Sequence, residues 1–207
     1  MDIFDEYRKL STCPIADALE RKQIIDLQIK ALWSSIPRIA GPAYTVRCAH
    51  GDNLMMHAAI HQAPMGSIVV VQSDSNDFAV AGGNVCAVAK KRGIQGFIID
   101  GVIRDLEEIR ENRFPVYARG VVPKPGGKDK PFPINGPVTV GGVDLAPGDI
   151  VVADEEGIAV IPRADAETVL SKAQKRSTKD EQTLLEDWEI AHQTKIFSIL
   201  ESKGIKF

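Results

Sequence analysis

Residues 81–119 read AGGNVCAVAKKRGIQGFIIDGVIRDLEEIRENRFPVYAR, and the order of patterns within them sets the fold class. Ala81 to Gly93 has helical spacing and opens on Gly82-Gly83. Gly96 to Asp100 (GFIID) is a short, continuous apolar run of the kind a buried strand makes. Gly101 reads as a turn, after which Ile103 to Arg110 begins a second helix, and Pro115 to Arg119 (PVYAR) is the next strand. Helix, strand, helix, strand in this order predicts an α/β arrangement.

Working outward, Ile68 to Val71 is another buried strand, preceded by a helix from Asp52 to His61 with Asp52 as its cap. Arg38 to Cys48 (RIAGPAYTVRC) is strand-like, and Ser11-Thr12 offer hydroxyl caps to a short helix, Cys13 to Leu19. On the other side, Lys124 to Pro133 (KPGGKDKPFP) has the Pro, Gly and Lys content of an exposed loop, its charge a solvated surface. A hairpin follows, Val138–Val140 and Val143–Leu145 around Gly141-Gly142, whose turn needs positive φ angles. Ile150 to Ala153 and Ile158 to Ile161 flank a DEEG turn, so this half is antiparallel and β-rich. Ala164 to Lys206 is mostly helical, with Leu184, Trp188, Ala191 and Ile199 available for packing. The division expected is a main domain over 1–163 and a helical extension over 164–207 that packs on the domain or on a neighbouring subunit.

The chain has 207 residues, 44% hydrophobic and 26% charged, enough for one sizeable core. A net charge of -3 gives no electrostatic reason to expect nucleic acid or an anionic membrane as partner. No apolar run approaches the roughly 18 residues of a membrane span. Cys13, Cys48 and Cys86 are far apart and odd in number, which predicts reduced thiols and a cytoplasmic setting.

The chemistry concentrates in Gly82-Gly83-Asn84-Val85 and in Arg104-Asp105 with Glu108. Paired glycines at a helix start let backbone N–H groups and the helix dipole approach a carboxylate or phosphate. Arg104-Asp105 lies just beyond a buried strand, where open α/β sheets place their sites. An arginine fork holds a carboxylate by two points, and an adjacent aspartate binds a hard cation. Each feature also has an ordinary reading: a glycine pair makes a turn, and an Arg-Asp pair makes a cap with a salt bridge.

Gly83, twenty intervening residues, Arg104-Asp105, two more and Glu108 resemble the G-x20-R-D-x2-E/D pattern of the class II, divalent-metal-dependent pyruvate aldolases of the RraA-like family. These are the 4-hydroxy-4-methyl-2-oxoglutarate and 4-carboxy-4-hydroxy-2-oxoadipate aldolases. Further similar stretches are Ser11 to Leu19, GPAYTV (41–46), GDN (51–53), PVYARG (115–120) and residues 140–162, so the likeness spans roughly 10–165. It implies a β/β/α swivelling-domain architecture with a helical C-terminal tail, assembled as a homotrimer or hexamer. It implies a lyase that releases pyruvate from a 4-hydroxy-2-oxo acid, with oxaloacetate decarboxylation as a side activity. Asp105 then anchors Mg²⁺ or Mn²⁺, Arg104 and the Gly82–Val85 amides hold the pyruvyl group, and Glu108 is an outer carboxylate. A neighbour's tail contributes an acid, and Glu181 is the candidate in a stretch that matches only loosely.

Two alternatives stand beside this: aldol cleavage of a 2-keto-3-deoxy sugar acid on the same residues, or a non-catalytic RraA-type regulator that binds a ribonuclease. A methyltransferase lacks a GxGxxG run after a strand. His57 and His61 stand four apart, as metal ligands can, but no third ligand is evident; His50 and His192 have less support. Lys90-Lys91 as Schiff-base lysines and Cys86 as a low-pKa thiol are weaker still. Ser11, Asp17, Asp52 and Asn53 are read as capping residues.

Overall fold

The computed structural model describes residues 2–205. Its main sheet contains β1 (Lys30–Ala31), β2 (Ile39–Cys48), β3 (Ile68–Ser73), β4 (Gly96–Ile103), β5 (Val116–Val121), β8 (Ile150–Asp154) and β9 (Gly157–Ile161). The order is β1-β5-β4-β3-β2-β8-β9. Strands β2 to β5 run parallel, while β1, β8 and β9 are antiparallel to their neighbours. The two edges nearly meet: Ile25 N donates to Ile158 O at 3.0 Å, so the sheet is close to a closed barrel. β2 is the seam, pairing residues 39–42 with β8 and residues 43–48 with β3.

Both faces of this sheet are covered, which is why its strands read as apolar runs rather than as alternating ones. Inside lie Ile39, Ala43, Ile68, Val70, Ile98 and Tyr117, closed over by the hairpin of β6 (Val138–Val140) and β7 (Val143–Leu145). Outside the parallel half, Val69, Val71, Phe97 and Ile99 pack on α3 (Leu54–Gln62), α4 (Gly83–Lys91) and α5 (Leu106–Glu111). Outside the antiparallel half, Val152, Ala159 and Ile161 meet α1 (Ile3–Lys9), α2 (Thr12–Ala18) and the start of α6 (Ala166–Gln182). Tyr7 of α1 fastens that layer by donating its hydroxyl to Ala166 O at 2.6 Å.

Three local expectations are corrected. Gly101 is not a turn: β4 continues through it to Ile103, with a register shift against β5 between Ile99 and Val102. A Cβ on Gly101 would stand 2.8 Å from Ser73 Cβ, so the glycine serves close strand approach, a signal that sequence cannot separate from a turn. In consequence α5 begins at Leu106, three residues later than expected. Ser11 precedes α2 without a side-chain capping bond; Thr12 instead donates its hydroxyl to the buried Asp154 at 2.6 Å. The last helix, α7 (Leu185–Ser202), has no buried residue, and Leu185, Trp188 and Ile190 are exposed on it.

Candidate active site

The end of β4 brings Arg104 and Asp105 against the start of α4. Val80 N donates to Val102 O and Arg104 N to Ala81 O, each at 3.0 Å, so residues 80–82 run beside the strand end. Asp105 then adopts φ 59°, ψ 43°, the left-handed region that aspartate tolerates better than most residues. Gly83 N donates to its Oδ2 at 3.1 Å, and Arg104 Nε lies 3.4 Å from the same oxygen. The arginine and aspartate side chains are 43% and 35% exposed, so both are accessible to a ligand.

The glycines are explained by these carboxylates. A Cβ on Gly82 would stand 2.5 Å from Asp105 Oδ2, and one on Gly83 would overlap the Glu108 carboxylate. Glu108 therefore occupies the space that a side chain at position 83 would fill. The Gly83 amide is already taken by Asp105, which leaves Asn84 and Val85 as the first-turn amides without an intrahelical partner.

A cavity of about 200 Å³ opens here, lined by Gly82, Asn84, Val85, Arg104 and Asp105 among others. It is a small site, suited to a metabolite of few carbons. Asn53, His57, Pro125 and Lys128 form another part of its wall. That wall is stitched from distant segments: Gly127 N donates to Gly51 O (2.7 Å), Asn53 N to Gly127 O (2.8 Å) and Ala79 N to Lys124 O (2.8 Å). Asp52 holds the loop by accepting from Asp129 N at 2.6 Å, while its other oxygen caps α3 through Leu54 N at 2.8 Å. Burial alone would raise the Asp52 carboxyl, but these amides and the Lys130 charge outweigh it and hold it below the usual carboxylate range. Burial, then the charges of Lys128 and His61, lower the His57 imidazole, so it is neutral near pH 7.

Among the sequence candidates, the structure brings together Gly82, Gly83, Asn84, Val85, Arg104, Asp105 and Glu108. Glu181 lies elsewhere in the same chain, exposed near the end of α6 and accepting from Ser177 Oγ at 2.9 Å. Lys90 is not in the cavity; its Nζ donates to Asn112 O at 2.5 Å. Cys86 is fully buried and burial pushes its thiol up, the reverse of an activated nucleophile. His50 packs edge-on against Phe78, and His192 stacks on Trp188. Among the described residues there is no group of three or more His, Cys, Asp or Glu side chains placed to hold a metal. Sequence reasoning missed Pro125 and Lys128, read as solvated loop, and assigned Asn53 only a cap. Their signal lies in long-range backbone pairing, which spacing along the chain does not reveal.

These features define a small, open, carboxylate- and arginine-lined site on a nearly closed α/β sheet. The family model described as RraA-like, Aldolase/RraA, matches residues 12–160, and the chain belongs to that family. A Halalkalibacterium halodurans protein, provisionally named 4-hydroxy-4-methyl-2-oxoglutarate aldolase, is 37% identical over 182 residues, covering 87% of this chain and 86% of its own. A Pseudomonas syringae pv. tomato structure of an uncharacterised protein superposes with TM-score 0.77 at 28% identity, over 87% of this chain and 88% of that one. A Streptomyces coelicolor structure, described as an unusual member of the RNase ES inhibitor RraA family, gives TM-score 0.77 at 26% identity, over 86% and 93%. The architecture is the RraA fold, and no helix among the described residues is long and apolar enough to cross a membrane.

Proposed function

We propose that this protein is a divalent-metal-dependent aldolase that cleaves a 4-hydroxy-2-oxo acid to pyruvate and a second oxo compound. One juxtaposition carries the reading: Arg104 and Asp105 line a small cavity with the first turn of α4, and the Glu108 carboxylate sits over Gly83. The aldolase name of the Halalkalibacterium halodurans relative supports the same reaction class. The RraA likeness alone would also suit a ribonuclease-binding regulator, but such a surface has no use for this trio of side chains.

Asp105 offers a hard oxygen donor at an open site, with Glu108 nearby as an outer carboxylate, which fits Mg²⁺ or Mn²⁺, cations held by one or two carboxylates with other positions left for water or substrate. When bound, such a cation supplies Lewis-acid polarisation of the C2 carbonyl. Arg104 adds donors to the same keto oxygen, and the Asn84 and Val85 amides hold the adjacent carboxylate at the positive end of α4. As a water molecule in the open cavity takes the C4 hydroxyl proton, C4 becomes the carbonyl of the second product, the C3–C4 bond breaks and its electron pair passes through C2 onto the keto oxygen. Arg104 stabilises the enolate oxygen that results. Protonation at C3 gives pyruvate. Loss of CO₂ from oxaloacetate generates the same enolate, so decarboxylation is expected on these residues.

The helical segment from residue 164 belongs in this reading as an arm that packs on a neighbouring copy in a trimer or hexamer. Glu181 is then the acid that this arm brings to the neighbour's site. The test of the whole reading is pyruvate release from several 4-hydroxy-2-oxo acids and from oxaloacetate, with Mg²⁺, Mn²⁺ or EDTA. Lewis-acid stabilisation of several kcal/mol corresponds to a loss of roughly a thousandfold or more on chelation. Release that survives exhaustive chelation, or no release from any substrate with metal present, would overturn it.

A further inference from the structure

No residue of the loop over 124–130 is buried, so polar contacts rather than apolar packing set its place beside the cavity. Up to Gly127 these are main-chain bonds, with Gly127 N donating to Gly51 O and Asn53 N to Gly127 O. Beyond Gly127 the task falls mainly to one side chain. Asp52 is only 3% exposed, and its Oδ2 accepts from Asp129 N at 2.6 Å and from Lys130 N at 3.2 Å. Its Oδ1 accepts from Leu54 N at the start of α3, so a single carboxylate ties the loop to that helix. Lys130 Nζ adds a bond to His50 O at 3.3 Å. Lys128 is the one residue between the main-chain anchor and the carboxylate anchor.

Lys128 lines the same cavity as Arg104 and Asp105. Arg104 Nε stands 3.4 Å from Asp105 Oδ2, and Lys128 supplies a second positive charge to the lining. That charge reaches the cavity wall: after burial, it is the next cause lowering the His57 imidazole. A 2-oxo acid enters as an anion, so a cation fixed at the wall favours its binding, whereas one on a loose loop is dispersed in solvent. We infer that Asp52 is a positioning residue for substrate binding: its carboxylate pins the loop after Gly127 and so holds the Lys128 ammonium at the cavity wall, where it attracts the anionic substrate. The inference rests on the aldolase reading and adds to it a residue that never touches substrate. The substrate keeps its negative charge from ground state to transition state, so the contribution appears in KM and not in kcat.

Asp52→Ser tests this, because a serine hydroxyl can still serve Leu54 N but is too short to reach Asp129 and Lys130. In low salt, KM for oxaloacetate rises about threefold to fivefold in Asp52→Ser and in Lys128→Met, the upper scale of an exposed ion pair, with kcat near that of the wild type. The two changes are not additive: Asp52→Ser adds nothing in the Lys128→Met background. In about 1 M salt, where charges are screened beyond about 3 Å, both rises vanish. Trypsin gives a readout apart from catalysis. Lys124 and Lys130 precede Pro125 and Pro131, so within this loop only the bond after Lys128 is open to it. Asp52→Ser should be cut there about tenfold faster than the wild type, the scale of one charge-assisted hydrogen bond. Unchanged KM in Lys128→Met, an Asp52→Ser effect that persists without Lys128 or in high salt, or equal cleavage of the two proteins would each overturn the inference. Should Asp52→Ser fail to fold, Lys128→Met and hydrogen exchange in the wild type decide, and freely exchanging Asp129 and Lys130 amides would overturn it equally. Failure of the aldolase reading is distinct, since the wild type would then release no pyruvate while the contrast in cleavage remained.

Discussion

Asp105 is the residue on which the fold and the proposed chemistry meet, and the two roles can be separated. Its left-handed backbone turns the carboxylate back toward Gly83, so α5 can start immediately after the strand end. Asparagine tolerates the same conformation and keeps an acceptor for the Gly83 amide, but it carries no charge. Asp105→Asn is therefore expected to keep thermal stability within about 1 kcal/mol of the wild type, the scale of one altered hydrogen bond. Pyruvate release should nevertheless fall by at least about a hundredfold, because a neutral amide is a poor ligand for a hard cation. Melting curves beside initial rates check this. An active Asp105→Asn protein would leave Asp105 only its role at the helix start. The pairing of Arg104 with Asp105 and Glu108 was visible along the chain, since all three sit within five residues. What spacing could not show is that Gly83 is a glycine because Glu108 lies over it.

At the scale of elements, the parallel strands were legible because burial on both faces leaves a continuous apolar mark, as in Ile68–Val71 and Gly96–Ile99. Their pairing was not, nor was the end of β4. Gly101 looks like a turn residue in isolation, yet it sits inside the strand where Ser73 of β3 comes close. Gly101→Ala should cost about 1–3 kcal/mol through overpacking against Ser73. Its φ is not in the left-handed region, so the loss is steric and not conformational. Pairing it with Ser73→Gly should recover part of that loss in a double-mutant cycle followed by denaturant unfolding. Strict additivity of the two changes would mean that the strain lies elsewhere. The same limit hid half of the cavity. The loop over 124–128 has the composition of solvated chain, and only its bonds to Gly51, Asn53 and Ala79 turn Pro125 and Lys128 into a wall.

At the scale of the molecule, the unfinished part is the arm. Helices α6 and α7 have 17 and 18 residues, so each is about 26 Å long. Only Ala166, Val169 and Ala173 of α6 are buried, whereas α7 exposes Leu185, Trp188, Ile190 and Phe197 around its circumference. A helix apolar on more than one side is normally enclosed, and a head-to-tail ring of copies would enclose this one. In the proposed ring, Glu181, toward the far end of α6, is the acid expected to reach a neighbour's Arg104 and Asp105. Asp105→Ala and Glu181→Ala proteins should each be nearly inactive alone, yet regain activity when unfolded and refolded together in equal amounts. A competent site takes Asp105 from the Glu181→Ala chain and Glu181 from the Asp105→Ala chain, in the correct order around the ring. Random assembly places about a quarter of interfaces in that arrangement. Recovery near that fraction of wild-type activity establishes a shared site with Glu181 as donor. No recovery from mutants that are separately folded and oligomeric would confine the site to one chain. An active Glu181→Ala protein would remove Glu181 and turn attention to Asp180 and Glu186, the exposed acids nearest to it in the chain.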